Sequence, residues 1–387
     1  MKAIILAAGR GTRMRPFTTT VAKPMIPLFH TPVMELLVEL LARHNVRQIM
    51  VNTSYLAPGI EGYFRDGAHF GVEMAYSFEG RKSADQFIDE PLGSAGALRK
   101  IQTHSGFFDE TFMVMCGDAV IDLDLSALLD FHRRQGATVT VALKEVPADQ
   151  VSNYGIAVLD EHQRITSFQE KPAAHEAKSL LANTGIYIFE PSVIDLIPPV
   201  GAYDIGSQLF PRLVESGAGM YGVALPFQWL DIGKLPDYYQ VMRQALCGEV
   251  HGVQLPGHSI RPGIHCGLNV SIDLEACEIH PPVYIGGSST IEPGCRIIGP
   301  ALIGPGCIIE SGALVEESMI FDYTRIGALA SIRNMIVSGD YCVDSTGLVI
   351  DLQEAKLDGV ITDARTNLDL EPNTSRELLE LLADWGA

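Results

Sequence analysis

The chain has 387 residues, long enough for two domains that each bury a core of their own. Its 47% hydrophobic and 19% charged residues are ordinary for a soluble globular protein, and its formal net charge of −19 makes nucleic acid and acidic membrane surfaces poor partners. A phosphorylated ligand must then be met by local donors and a metal ion, because the overall field repels it.

Along the chain, Met1-Lys2 runs straight into the apolar stretch Ala3 to Ala7, which reads as a strand buried on both faces and not as a signal peptide. Val33, Leu37, Leu40 and Leu41 recur at helical spacing and predict a helix over 33–45. Ile49 to Asn52 and Phe112 to Cys116 are further short buried strands, and 125–135 is a predicted helix with Ser126 near its start. Strand and helix alternating in this way predict a mostly parallel α/β sheet over the first 245 residues. No run of eighteen apolar residues occurs, so no membrane-spanning helix is expected. Seven cysteines, an odd number without a Cys-x-x-Cys pair, argue against a zinc site or a disulfide framework and for a cytoplasmic protein.

From about residue 260 the texture changes. Aliphatic residues recur at every sixth position, at Ile285, Ile291, Ile297, Ile303, Ile309 and Val315, and resume one residue out of phase at Ile320, Ile326 and Ile332. Four positions after each of the first five stand the small residues Ser289, Cys295, Ala301, Cys307 and Ala313. One large and one small inward slot per hexapeptide predict a β-helix of triangular coils, each burying its apolar side on its neighbours. The repeat resembles that of the left-handed hexapeptide-repeat β-helices. Past Asp344 it fades, and 375–385 reads as an amphipathic helix capped by Ser375. The expected division is a catalytic domain over 1–248, the β-helix over 249–345 and a tail over 346–387.

The chemistry concentrates where the first strand ends. Leu6-Ala7-Ala8-Gly9-Arg10-Gly11-Thr12-Arg13 is followed by Pro16 and by Lys23-Pro24. Glycines there let backbone N–H groups approach phosphate oxygens; Arg13 offers a planar fork and Lys23 a compact point charge. The segment lacks a Gly-Lys-Ser/Thr ending and a third glycine in the dinucleotide frame, so neither the P-loop nor the Rossmann fingerprint applies. Asp118 follows the strand Phe112 to Cys116, at the edge where α/β sheets bind ligands. Asp231 closes a second such segment after Trp229 and Leu230; either aspartate alone would pass for a turn or a helix cap.

The string GRGTRMRP…KPMIP resembles the signature of the sugar-1-phosphate nucleotidylyltransferases, and the resemblance continues in register through EPLGSAGAL, MCGDAVIDLDL, SNYGIAV, FQEKP, NTGIYIFEP and WLDIGKLPDY. It implies a Rossmann-like, mostly parallel nucleotidyltransferase sheet followed by a left-handed β-helix. It further implies an enzyme that joins a nucleoside triphosphate to a hexose 1-phosphate, releases pyrophosphate and uses Mg²⁺. On that basis Leu6, Ala8, Gly9, Gly11, Thr12, Arg13, Glu90 and Gly93 would hold the nucleotide, and Asp118 and Asp231 the metal. Gly155, Glu170, Lys171 and Asn183 would hold the sugar phosphate, with Arg13, Lys23, Asp118 and Lys171 as the catalytic set. Glu90 beside the base edge favours guanine, as in GDP-mannose pyrophosphorylases, whereas the whole chain is more similar to a group of UDP-glucose pyrophosphorylases typical of cyanobacteria. A non-catalytic, NDP-sugar-binding regulatory subunit is a third reading; such a protein would have lost its cations or carboxylates, and Arg13, Lys23, Asp118 and Asp231 are all present. The flat sides of a β-helix suit assembly into a homo-oligomer. His265 and His280 raise acyl transfer, as in related solenoids, but no long acyl-donor loop accompanies them and surface histidines are the commoner case.

Overall fold

The computed structural model describes residues 1–83 and 86–366, so the helix expected over 375–385 lies outside the described residues. Two compact units emerge. The first comprises most of the chain up to Asp231; the second runs from Ile232 and includes two early segments, Arg13–Pro16 and Leu28–His30.

In the first unit the apolar runs build one sheet. Its strands are β1 (Lys2–Ala7), β2 (Gln48–Thr53), β3 (Glu73–Phe78) and β4 (Phe112–Cys116). A small strand β5 (Ala119–Ile121) lies off the sheet, which continues with β6 (Val139–Glu145), β7 (Gly155–Leu159), β8 (Ile165–Glu170), β9 (Leu181–Phe189) and β10 (Met220–Ala224). The order is β8-β7-β9-β4-β1-β2-β3, with β6 pairing β9 and β10. Strand β1 pairs in parallel with β2 and β4, while β9 runs antiparallel to β4, β6 and β7. At the centre of the sheet both faces are covered, which is why β1 and β4 are continuously apolar and do not alternate. Ala3, Ile5, Met113 and Met115 face a core shared with Leu37 and Leu41 of α1 (Val33–Arg43). Ile4, Phe112 and Val114 face another core, shared with Leu98 and Ile101 of α3 (Gly93–Ser105), where α2 is Ala57–Phe64. Helix α4 (Leu125–Gln135) has the expected bounds, and Asp124 is its cap, its Oδ1 accepting from the N–H groups of Ser126 and Ala127 at 3.0 Å each.

In the second unit the hexapeptide repeat closes into three sheets of parallel strands. Val283 lies opposite Ala301 and Glu278 opposite Arg296, one eighteen-residue coil apart. Beyond Val315 the offset drops by one, with Leu302 opposite Met319 and Leu314 opposite Ser331, which is the phase slip seen before Ile320. All nine aliphatic repeat positions and all five small slots are buried. Where the repeat fades, the strands do not: Tyr341–Asp344 and Val349–Asp351 add an antiparallel hairpin, and Ile361–Asp363 pairs antiparallel with Thr324–Ile326. Helix α6 (Leu235–Leu246), which follows the short α5 (Phe210–Glu215), packs in this unit. Tyr238 meets Phe321 edge-on, Tyr239 Oη donates to Glu317 O at 2.6 Å, and Arg243 pairs with the Glu317 carboxylate at 2.7 Å. All seven cysteines are free; burial pushes the Cys295 thiol up to about 11 and that of Cys307 to about 12, so they are inert packing groups. Among the described residues no helix is long and apolar enough to cross a membrane.

Candidate active site

Strand β1 ends at the mouth of a cleft of about 280 Å³ in the first unit, with Leu6 in its wall. Beyond it Gly9 is exposed, and a Cβ there would point into open space. Gly11 has φ +60°, and a Cβ there would come within 3.0 Å of both Lys23 Cβ and Thr18 Cγ2. The turn therefore needs glycine for its backbone sign and for the close passage of Lys23. Thr18 Oγ1 fastens the turn by donating to Gly11 O at 2.8 Å. Arg13 is exposed within the single turn Thr12–Met14 and belongs to the second unit, where its charge acts on Asp237.

Lys23 Nζ donates to Asp118 Oδ2 at 2.5 Å, with the lysine side chain largely buried. Asp118 sits just past the end of β4, where Gly117 N donates to Leu6 O at 3.0 Å and ties the two strand ends together. Strand β11 (Trp229–Asp231) runs antiparallel to β5 and sets Asp231 opposite Ala119, the neighbour of Asp118. Both aspartates line the cleft. Among the described residues no three His, Cys, Asp or Glu side chains cluster to hold a metal. Two hard oxygen donors, one in the turn after β4 and one at the end of β11, nevertheless fit Mg²⁺, which takes one or two carboxylates and completes its shell with phosphate and water. Cys116 lines the same wall, and burial followed by the charges of Asp118 and Asp231 pushes its thiol well up, so it is no nucleophile.

Gly155, Glu170, Lys171 and Asn183 line the same cleft. Gly155 and Glu170 are cross-strand partners on β7 and β8. A Cβ at 155 would lie 2.6 Å from Phe168 Cζ and 3.1 Å from Glu170 Oε2, so packing on these two side chains already demands glycine there, before any close approach of a sugar. Lys171 is held at φ +46°, costly for a side-chain-bearing residue, with its N–H donating to Tyr154 O at 3.1 Å and its Nζ 3.5 Å from Glu170 Oε1. Asn183 accepts from Gly185 N at 3.0 Å and donates to Tyr187 Oη at 2.9 Å, which fixes its amide.

The remaining expected residues lie elsewhere. Ala8, Gly9, Gly11, Thr12, Arg13, Glu90 and Gly93 do not line this cleft. Glu90 is exposed and borders a separate cavity with Gly80 and Leu92. Gly93, at φ +71°, packs under Tyr203, whose carbonyl oxygen a Cβ would approach to 2.6 Å. Tyr187, Trp229 and Asp204, to which the sequence assigned no role, also line the cleft. The indole Nε1 of Trp229 is buried with no partner among the described residues, and its ring lies 5.0 Å from that of Tyr154. Burial opposes ionisation of Asp204, but hydrogen bonds from Ser207 N–H and from the Ser94 and Ser207 hydroxyls outweigh it and hold the carboxyl below its usual range. Its signal in the sequence is the Asp-x-x-Ser spacing of a helix cap, which points to structure and not to a site.

Residues 2–247 match the family described as Nucleotidyl transferase, and residues 260–351 match the GMPPB C-terminal domain. The chain is 53% identical over 385 residues, 99% of either sequence, to a UTP–glucose-1-phosphate uridylyltransferase of Synechocystis sp.. It is 31% identical over 296 residues, covering 76% of this chain and 77% of the relative, to a mannose-1-phosphate guanylyltransferase of Mycobacterium tuberculosis. A solved structure of a putative glucose-1-phosphate thymidylyltransferase from Bacillus anthracis shares the fold, with a TM-score of 0.54 at 24% identity over 62% of this chain and 94% of that one.

Proposed function

Because this chain belongs to the nucleotidyl transferase family, we propose that it is a Mg²⁺-dependent enzyme joining UTP to glucose 1-phosphate, giving UDP-glucose and pyrophosphate. One observation carries the reading: a single cleft is lined by Asp118, which pairs with Lys23, by the neighbouring Asp231, and by Glu170, Lys171 and Asn183.

In the proposed reaction a phosphate oxygen of the hexose 1-phosphate attacks the nucleotide α-phosphorus in line. The new P–O bond forms as the bond to pyrophosphate breaks, and no covalent enzyme intermediate is needed. Asp118 and Asp231 would hold Mg²⁺, which when bound supplies neutralisation of phosphate charge. Lys23 then leaves Asp118 for the nucleotide phosphates, so each charge changes partner without being stranded. Lys171 fixes the sugar phosphate, and Glu170 and Asn183 the sugar hydroxyls.

Identity of 53% across both whole chains supports UTP and glucose 1-phosphate. The guanylyltransferase reading rests on Glu90 as acceptor for guanine and on 31% identity over 296 residues to a mannose-1-phosphate guanylyltransferase. The test is a matrix of five nucleoside triphosphates against glucose, mannose and N-acetylglucosamine 1-phosphates, read by pyrophosphate release. Release with UTP and glucose 1-phosphate is expected; release with GTP and mannose 1-phosphate alone would overturn the subfamily choice, and no release anywhere would favour a regulatory subunit. A cytoplasmic homo-oligomer assembled through the β-helix completes the proposal, and light scattering on the purified chain checks the assembly.

A further inference from the structure

A second cavity, of about 320 Å³, lies on the reverse side of the Glu90–Gly96 loop. We propose that it binds a small hydroxylated phosphomonoester and that its occupancy alters the handling of the nucleotide; the second half rests on the function proposed above.

In a chain of net charge −19, this cavity gathers Arg99, Lys100 and His104 on one face of α3. The two strong cations are held in place and keep donors in reserve. Lys100 Nζ donates to Phe78 O at 2.5 Å, which uses one of its three protons. Arg99 reaches Ile194 O at 3.4 Å and Asp195 at 3.6 Å through Nη1, while its buried Nε has no partner among the described residues. A fixed guanidinium beside an ammonium suits a phosphate dianion without further ordering. Glu90 and Leu92 also line the cavity, so a carboxylate is among the groups a ligand hydroxyl would meet. The volume is at the small end of the range for ligand cavities, which limits the ligand to a short chain.

The walls lead to the catalytic cleft. Leu92 N donates to Glu79 Oε2 at 3.1 Å, and Leu92 O accepts from Tyr203 N at 2.8 Å. Tyr203 O accepts from Ala95 N and Gly96 N at 2.9 Å each, and Asp204, next in the chain, accepts from Ser94 Oγ at 2.7 Å and lines the cleft. Filling the cavity therefore acts on a hydrogen-bonded loop whose far side borders the reaction, which provides a coupling between two distinct sites.

Calorimetric titration of the full chain with glycerol 1-phosphate, with glycerol as control, tests the site without requiring turnover. Saturable binding of one equivalent is expected, with affinity falling at least tenfold in Arg99→Gln. Val200→Glu, at a wall residue that is 82% exposed, should weaken binding as much by adding a negative charge without touching the core. Asp118→Ala should bind like wild type. The absence of saturable heat, undiminished binding in both wall variants, or loss of binding in Asp118→Ala, which would mean the anion enters the catalytic cleft, each overturns the site. Saturating glycerol 1-phosphate should also shift the KM for the nucleotide at least twofold, and an unchanged KM overturns the coupling.

Discussion

The 2.5 Å pair between Lys23 and Asp118 couples two charges that the reaction needs separately. Removing either leaves the other without its counter-charge in a partly buried wall, so the loss is of organisation as well as of one group. Asp118→Ala should lower kcat on the order of 100- to 1000-fold, the scale of one preorganised electrostatic group, with the melting temperature little changed. Pyrophosphate release and circular dichroism check this, and a variant with wild-type turnover would remove Asp118 from the metal role. Lys171→Gln should raise the KM for the hexose 1-phosphate about tenfold, the worth of one charge-assisted hydrogen bond, and leave the nucleotide KM alone. Asp204 supplies a pH signature in stability. Its carboxyl is held below the usual range, so its contribution is present above about pH 3.9 and is lost as pH falls through its folded value. The stability gap between wild type and Asp204→Asn, from urea midpoints, should thus be open at pH 7 and narrow below about pH 4.

At the scale of elements, the cleft depends on where strands can approach each other. Strand β9 passes β4 at Gly185, whose φ is +76° and where a Cβ would meet Cys116 Sγ at 2.7 Å. Gly185→Ala should cost roughly 1–3 kcal/mol from backbone strain alone and push β4, with Asp118 just beyond its end, out of place. A combined fall in melting temperature and in kcat is expected; an alanine variant of full stability and activity would show that the strands have room to spare. In the coil stack the small slots are filled to capacity, Cys307 being fully buried. Cys307→Leu should cost about 1–3 kcal/mol by overpacking, measured as a lower unfolding midpoint.

For the whole molecule, the proposed division into 1–248, 249–345 and 346–387 has to accommodate α6. Every residue lining the cleft lies between Leu6 and Asp231, yet α6 buries Tyr238 and Tyr239 within the second unit, against Phe321 and Glu317. His30 likewise hydrogen-bonds Tyr284 Oη at 2.8 Å, so a segment just past Lys23 folds with the coils. A chain ending at residue 248 would expose these aromatic faces and should aggregate or melt well below the full-length protein, even though its cleft residues are complete. Size-exclusion chromatography and thermal melts read the outcome. A monodisperse, equally stable fragment would show that α6 needs no partner.

The sequence alone determined the local order of this protein. Continuous apolar runs fixed the strands β1, β2 and β4, and the six-residue period fixed the coils, because burial on both faces or in one repeated slot imposes a pattern on neighbouring residues. Motif resemblance pointed to Asp118, Glu170, Lys171, Asn183 and Asp231, all of which line one cleft. Tertiary structure alone decided what meets across long separations: the pairing of Lys23 with Asp118, the seat of Asp204 beside Ser94, the place of Glu90 beside a second cavity and the packing of α6 on the coils. These follow from strand register and side-chain direction between segments tens to over a hundred residues apart, and no local periodicity encodes such contacts.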